Sequence, residues 1–150
     1  MDFRSFTEAV DFAIGREREA IRFYQNLLGR SDFAAQRGML AELAAMEEGH
    51  ARALEALKAK GAPTWNPAFA SRADFSDLVE DKALGPNPGY QDVLRAGIRK
   101  EDRSERLYKA FAEAAGSGAL AEAFERLAAE ESRHRARFEE LYATDIARDN

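Results

Sequence analysis

Residues 40–57 read LAELAAMEEGHARALEAL, and their apolar side chains recur at spacings of three and four. This is the pattern of a helix that turns one face toward the core of a helical bundle. Glu47 and His50 occupy two positions on that face, one helical turn apart. Burying a carboxylate and an imidazole costs on the order of several kcal/mol unless their charges are compensated, and a bound metal ion is a common compensation. The stretch therefore predicts a bundle helix that carries part of a metal site.

The same pattern returns 84 positions later, where Glu131 and His134 repeat the spacing of Glu47 and His50. Upstream of each Glu-x-x-His pair, another helical segment carries an inward Glu with a Tyr seven residues further on, and these segments share the offset: Glu17 and Tyr24, then Glu101 and Tyr108. An internal repeat of this kind is the first guide to the architecture of a protein. It indicates a helix pair that is present twice.

The composition limits the classes of function. The 150 residues are 45% hydrophobic and 33% charged, which suits a single, mostly helical domain over 1–150. The net charge of −5, with no basic face, argues against binding to nucleic acid. The absence of cysteine excludes disulfides, thiolate nucleophiles and thiolate metal sites. We find neither a signal peptide nor an apolar run of membrane-spanning length, so we expect no membrane association and a cytoplasmic location.

Four helices are predicted from periodicity, capping residues and glycine breaks. Ser5 and Glu8 read as a capping box that opens the first helix. The glycines at 29, 61 and 116 mark helix ends. We expect the fourth helix to end in the low 140s, followed by a frayed tail. The expected helices span about 5–28, 32–60, 90–115 and 119 to the low 140s.

Residues 61–90 differ from the rest, because they hold all four prolines and the single tryptophan. A short helix is predicted within them at 76–84, and Trp65 and Phe69 are expected to hold this segment against the bundle. A connection of this length is too long for adjacent antiparallel helix ends, but it can cross the length of a bundle. The sequence therefore predicts an all-α four-helix bundle of two repeated helix pairs joined by a long crossover connection. Two hairpins swapped between chains would have the same pattern.

The inward polar groups of the four helices number four carboxylates and two imidazoles. Carboxylates packed together without counter-ions would force one another to take up protons, whereas two divalent ions would balance their charge. Carboxylate with imidazole suits iron or manganese, and zinc is an alternative; magnesium and calcium rarely recruit histidine. The candidate metal ligands are Glu17, Glu47, His50, Glu101, Glu131 and His134.

With this ligand pattern the chain resembles the ferritin-like di-iron carboxylate proteins, in particular the rubrerythrin-like branch that lacks the rubredoxin domain. In that fold two helices each supply one Glu, and the other two each supply a Glu-x-x-His motif. The resemblance implies a ferritin-like bundle that binds two iron ions. By that resemblance, the terminal ligands are Glu17 and Glu101, and the bridging ligands are Glu47 and Glu131. The resemblance also implies that His50 and His134 each bind one metal. It further implies that Tyr24 and Tyr108 donate hydrogen bonds to ligand carboxylates.

The chain departs from rubrerythrin in two respects. It has no cysteine for a rubredoxin-type iron, so an enzyme of this kind needs a separate electron donor. The family's additional carboxylate on the third helix corresponds here to Ser104, whereas Glu105 follows one position later and corresponds to Ile21 in the first half. We consider Glu105 as a fifth carboxylate ligand, a base near the site or a residue at its rim. The acidic neighbours of the ligands are expected on the surface: Glu19, Glu48 and Glu130.

Three functions fit this pattern. The first is a di-iron oxidoreductase that reduces hydrogen peroxide or dioxygen, in the manner of a rubrerythrin peroxidase, or that oxidises Fe(II). The second is an iron-storage protein, which would require assembly into a hollow shell. The third is a bundle without enzymatic activity that a metal such as zinc stabilises. We favour the first function, in a homodimer.

Overall fold

The computed structural model describes residues 3–62, 64–68 and 87–149. Phe69 and the short helix predicted at 76–84 lie outside the described residues. The described part is all-α, without a β-strand, and no helix in it combines the length and apolar character that a bilayer-spanning segment needs. Its four α-helices and one 3-10 helix are α1 (Phe6–Leu28), the 3-10 helix (Ser31–Gln36), α2 (Arg37–Lys60), α3 (Tyr90–Ala115) and α4 (Ala119–Asp149).

The N-terminus of α1 is capped much as predicted. Ser5 Oγ accepts a hydrogen bond from the backbone N–H of Glu8, over 3.1 Å. The carboxylate of Glu8 reaches back to the N–H of Arg4, over 2.9 Å, rather than to that of Ser5. The first bond satisfies an N–H group that the first helical turn leaves without a partner. The second bond joins Arg4, which precedes the helix, to its first turn.

Two helix boundaries differ from the prediction. The second helix begins at Arg37 rather than near 32, because Phe33 leaves the helical conformation (φ −106°, ψ 15°) and buries its ring against Tyr90, with centroids 4.6 Å apart. The fourth helix extends to Asp149 rather than ending in the low 140s. The side-chain amide of Gln91 donates to the carboxylates of Asp145 and Asp149, over 3.0 and 2.8 Å. These bonds hold the last turns of α4 against the start of α3.

The helices form two antiparallel hairpins. Lys58, near the end of α2, pairs with Asp11, near the start of α1, over 2.7 Å. In the second hairpin the start of α3 meets the end of α4 through the Gln91 bonds. Across the two hairpins, α1 runs antiparallel to α3, because Phe3, just before α1, contacts Phe111 near the end of α3, with centroids 5.5 Å apart.

The two ends of the long connection lie at opposite ends of the bundle. The N–H of Asn66 donates to the carbonyl of Ala114 at the end of α3, over 2.8 Å. At the other end, Arg30, just after α1, donates to the carbonyl of Pro88, over 2.9 Å. Trp65 packs against the aromatic rings of Phe6, Phe111 and Phe124, as expected for a residue that holds the connection in place. The predicted ferritin-like bundle of two helix pairs joined by a crossover connection is therefore confirmed.

The apolar core is divided into two clusters along the bundle. One surrounds Phe111 and Phe124, and the other surrounds Phe33 and Phe138. Polar side chains from all four helices are buried in the same interior. The buried charged or polar residues of the described chain are Glu17, Glu47, His50, Glu101, Glu105, Glu131 and His134.

Candidate metal centre

All four helices contribute to one buried polar centre. Helices α1 and α3 each supply one glutamate, and α2 and α4 each supply a Glu-x-x-His pair. Residues three positions apart lie on the same helical face, so each pair presents its carboxylate and imidazole together. The six side chains are between 1% and 5% exposed and are Glu17, Glu47, His50, Glu101, Glu131 and His134.

The six side chains form two overlapping groups, in each of which one ligand atom per residue lies within 4.8 Å of the others. One group contains Glu17 and His50, the other contains Glu101 and His134, and both contain Glu47 and Glu131. Each group is a set of three carboxylates and one imidazole that could hold a metal ion. The overlap means that two ions in these groups would share two glutamates.

The first histidine faces the centre through Nδ1. His50 Nδ1 lies 2.9 Å from Glu131 Oε1, 3.5 Å from Glu47 Oε2 and 3.6 Å from Glu17 Oε1. Burial lowers the pKa of His50, but the three nearby carboxylates outweigh burial and raise the pKa well above its ordinary value. The carboxylates therefore provide an environment that stabilises a cation at this nitrogen.

The second histidine repeats the arrangement. His134 Nδ1 lies 2.9 Å from Glu47 Oε1 and 3.5 Å from Glu101 Oε2. Burial lowers its pKa, and the nearby carboxylates of Glu101 and Glu47 raise it, with a net result of about 9. The two imidazole rings are stacked, with centroids 6.1 Å apart and planes 10° from parallel.

The carboxylates cannot all be ionised when they face one another without cations. Burial, followed by the charge of Glu47, raises the pKa of Glu17 well above its ordinary value. Burial and the charges of Glu101 and Glu47 do the same to Glu131. Burial also acts to raise the pKa of Glu47, but its interactions with Glu17 and with both histidines outweigh burial and lower that pKa. Glu47, between the two histidines, therefore ionises more readily than Glu17 or Glu131.

The donor atoms fit a bound cation. Buried atoms without a hydrogen-bond partner in the described chain include one carboxylate oxygen each of Glu17, Glu47 and Glu101, and Nδ1 of His134. Glu47 Oε1 and His134 Nδ1 lie 2.9 Å apart, yet neither makes a hydrogen bond of acceptable geometry. Buried polar atoms are rarely left unpaired, and an ion placed among them satisfies several at once. The residues present therefore fit a metal site.

Two tyrosines connect the hairpins at this centre. The hydroxyl of Tyr24 on α1 donates to Glu101 Oε1 on α3, and the hydroxyl of Tyr108 on α3 donates to Glu17 Oε1 on α1. Burial, followed by the charge of the bonded glutamate, raises the pKa of each tyrosine well above its ordinary value. The hydroxyls therefore keep their protons and act as donors. Their influence on reactivity stays a prediction.

Glu105 is buried but lies outside both groups. Its Oε1 lies 2.9 Å from Arg135 Nη1, and its Oε2 lies 3.0 Å from Lys109 Nζ. Its charge is thus balanced by two cations of α3 and α4. Among the three roles considered, this placement corresponds to a residue at the rim.

The expectation for Glu130 was wrong. Glu19 and Glu48 are exposed as predicted, but the Glu130 side chain is only 32% exposed, and its Oε2 contacts His50 Nε2. Position 130 lies on the flank of α4 that faces α2, and helical periodicity alone does not specify which neighbouring helix covers that flank. The repeat held a sign that position 130 is not simply a surface position. The corresponding residue in the first half is Met46, an apolar residue, rather than a second acid.

A cleft of about 540 Å³ lies between α2 and α4 on the side of His50 that faces Glu130. Small residues line much of it, including Gly49, Ala53 and Ala123, and Arg126 also lies along it. The six candidate ligands are nearly inaccessible to solvent, and the cleft contacts one of them, His50.

Comparison with known proteins agrees with the site. Residues 92–147 match the family model described as Rubrerythrin. The match covers most of α3 and α4, and it includes Glu101, Glu131 and His134. The chain has no match among curated proteins or among solved structures. On the match to the second helix pair, the predicted resemblance to the rubrerythrin family of ferritin-like di-iron proteins is confirmed.

Proposed function

We propose that this protein binds two iron ions at the buried centre and reduces hydrogen peroxide or dioxygen. The observation that carries the proposal is the pair of overlapping ligand groups, which share Glu47 and Glu131. Four glutamates balance four positive charges, which is the charge of two divalent ions. Carboxylate and imidazole donors suit iron, with manganese or zinc as the alternatives.

Each candidate ligand has a place in this proposal. Glu47 and Glu131 would hold both ions, Glu17 and His50 would hold one of them, and Glu101 and His134 would hold the other. When bound as Fe(II), two iron ions supply the two electrons that, with two protons, convert hydrogen peroxide into two molecules of water. The rubrerythrin match favours peroxide reduction over Fe(II) oxidation, by analogy of fold and site.

The surrounding residues support this chemistry. Tyr24 and Tyr108 each donate a hydrogen bond to a carboxylate from the other hairpin, which fixes the orientation of Glu101 and Glu17. The near-complete burial of the ligands excludes bulk water from the centre. The cleft beside His50 gives a small oxidant an approach to the edge of the centre.

The proposal predicts metal content and turnover together. Protein made in iron-replete cells is expected to contain about two irons per chain, as the six-ligand set implies, and to consume peroxide when reduced. The double variant Glu47→Ala with Glu131→Ala is expected to lose both ions, because each of these carboxylates belongs to both ligand groups. Elemental mass spectrometry and peroxide consumption measure the two properties. Glu48→Ala is the matched control, since Glu48 is an exposed neighbour of Glu47.

The outcomes separate the alternatives. Two tightly bound ions in the double variant would contradict the assignment of the bridging ligands. Iron without peroxide turnover, but with oxidation of added Fe(II), would favour ferroxidase activity, and storage would additionally require a shell-sized particle. Zinc alone, with no redox activity, would favour a metal-stabilised bundle. The separate electron donor, the homodimer and the cytoplasmic location stay predictions.

A further inference from the structure

The two halves of the metal centre differ behind their histidines. Nε2 of His50 contacts the carboxylate of Glu130. Nε2 of His134 is buried and has no hydrogen-bond partner in the described chain. The residue that corresponds to Glu130 in the first half, 84 positions earlier, is Met46, which offers no carboxylate. The internal repeat is therefore symmetric in the candidate ligands and asymmetric in what lies behind them.

A carboxylate behind a ligating histidine changes how well that histidine binds metal. When Nε2–H donates to a carboxylate, the proton stays on Nε2, the ring is held in place and Nδ1 remains a free, more basic donor. Loss of such a partner costs roughly 10–100-fold in metal affinity. His50 has this arrangement, since its Nδ1 faces the three carboxylates of its group while its Nε2 faces Glu130.

We propose that the two metal positions are inequivalent, and that the position at His50 binds a divalent ion first and more tightly. Glu130 acts as the positioning residue, through its contact with His50. The inference rests on the proposed metal centre. From the typical effect of such a partner, we expect the dissociation constants of the two positions to differ by about 10–100-fold.

Titration of the metal-free protein with Co(II) tests this directly, because the absorption of bound Co(II) reports each binding step. The parent protein is expected to bind two ions in two resolved steps. His50→Ala is expected to remove the tighter step, and His134→Ala the weaker one. This pair of variants assigns each step to its histidine.

The role of Glu130 is tested by the ratio of the two constants. Glu130→Gln is expected to weaken the tighter step about 10–100-fold, to bring the two steps together and to keep two ions per chain. Met46→Glu is expected to strengthen the weaker step, because it supplies the corresponding carboxylate in the first half. Glu48→Gln, at an exposed position, is the control and is expected to leave both constants unchanged.

Three results would overturn the inference: equal affinities in the parent protein, loss of the tighter step in His134→Ala, or equal weakening of both steps by Glu130→Gln. The last result would mean that Glu130 supports the fold rather than the His50 position. A failure of the parent protein to bind any Co(II) would instead refute the proposed metal centre, and this inference with it.

Discussion

Gly97 lies behind one tyrosine of the candidate metal centre, and the close packing around it allows a quantitative prediction. Gly97 on α3 is buried, and a Cβ at this position would lie 3.1 Å from Cδ1 and Cε1 of Phe138 on α4. The Phe138 ring is stacked on Tyr24, with centroids 5.9 Å apart and planes 8° from parallel. The hydroxyl of Tyr24 donates to Glu101. A methyl group at position 97 therefore presses on the ring that supports this tyrosine.

Two opposing effects set the magnitude of Gly97→Ala. Overpacking a well-filled core costs about 1–3 kcal/mol. Alanine in place of glycine within a helix stabilises by about 1 kcal/mol. The variant is therefore expected to lower the free energy of unfolding by about 1 kcal/mol, since overpacking exceeds the helical gain.

The sign should reverse when the phenylalanine is made smaller. Phe138→Leu removes ring atoms that the methyl would contact, so Gly97→Ala in that background is expected to stabilise by up to about 1 kcal/mol. The first half of the repeat already has this combination, because Ala13 and Leu54 stand 84 positions before Gly97 and Phe138. The coupling between the two substitutions should then be about 1–3 kcal/mol.

Urea unfolding of the four metal-free proteins measures this cycle. The control is Gly15→Ala on α1, where an added Cβ would meet no atom within 4 Å. That variant is expected to stabilise by about 1 kcal/mol in both backgrounds. An effect of Gly97→Ala that has the same sign and size with and without Phe138→Leu would refute the packing argument.

Two further predictions concern the candidate metal centre. Tyr24→Phe removes a hydrogen bond to Glu101 but no candidate ligand, so metal content by mass spectrometry should be unchanged while peroxide turnover changes; loss of metal would show that Tyr24 is required for binding. In the metal-free protein, the folded-state pKa values of Glu17, Glu131 and His134 are raised, so their contribution to stability is full at pH values below their unfolded-state pKa values and is lost as the pH rises. The urea midpoint, measured with a chelator, should therefore decrease as the pH is raised from 6.5, the ordinary pKa of histidine, to 9, near the pKa of folded His134. Bound metal should reverse this slope, because its ligands must lose their protons. A midpoint independent of pH would contradict the reasoning.

The sequence by itself determined the helices and the inward position of the six candidate ligands. A residue's place on a helical face depends on its spacing from its neighbours along the chain, which is local information. Glu47 and His50 could be placed in the core because they interrupt an apolar face at a helical spacing. The exact repeat of that interruption at Glu131 and His134 then predicted that the helix pairs meet around one centre.

Only the tertiary structure decided the contacts on the flanks of those helices. The contact between Glu130 and His50 joins α4 to α2, and the pairing of Glu105 with Arg135 joins α3 to α4. Phe33 likewise interrupts the helix predicted from residue 32, because its ring is buried against Tyr90, which is distant in sequence. Such contacts depend on which helices are neighbours and on how each is rotated about its axis. Helical periodicity separates the inside of a helix from its outside, but it does not say which side chain of another helix lies opposite each flank.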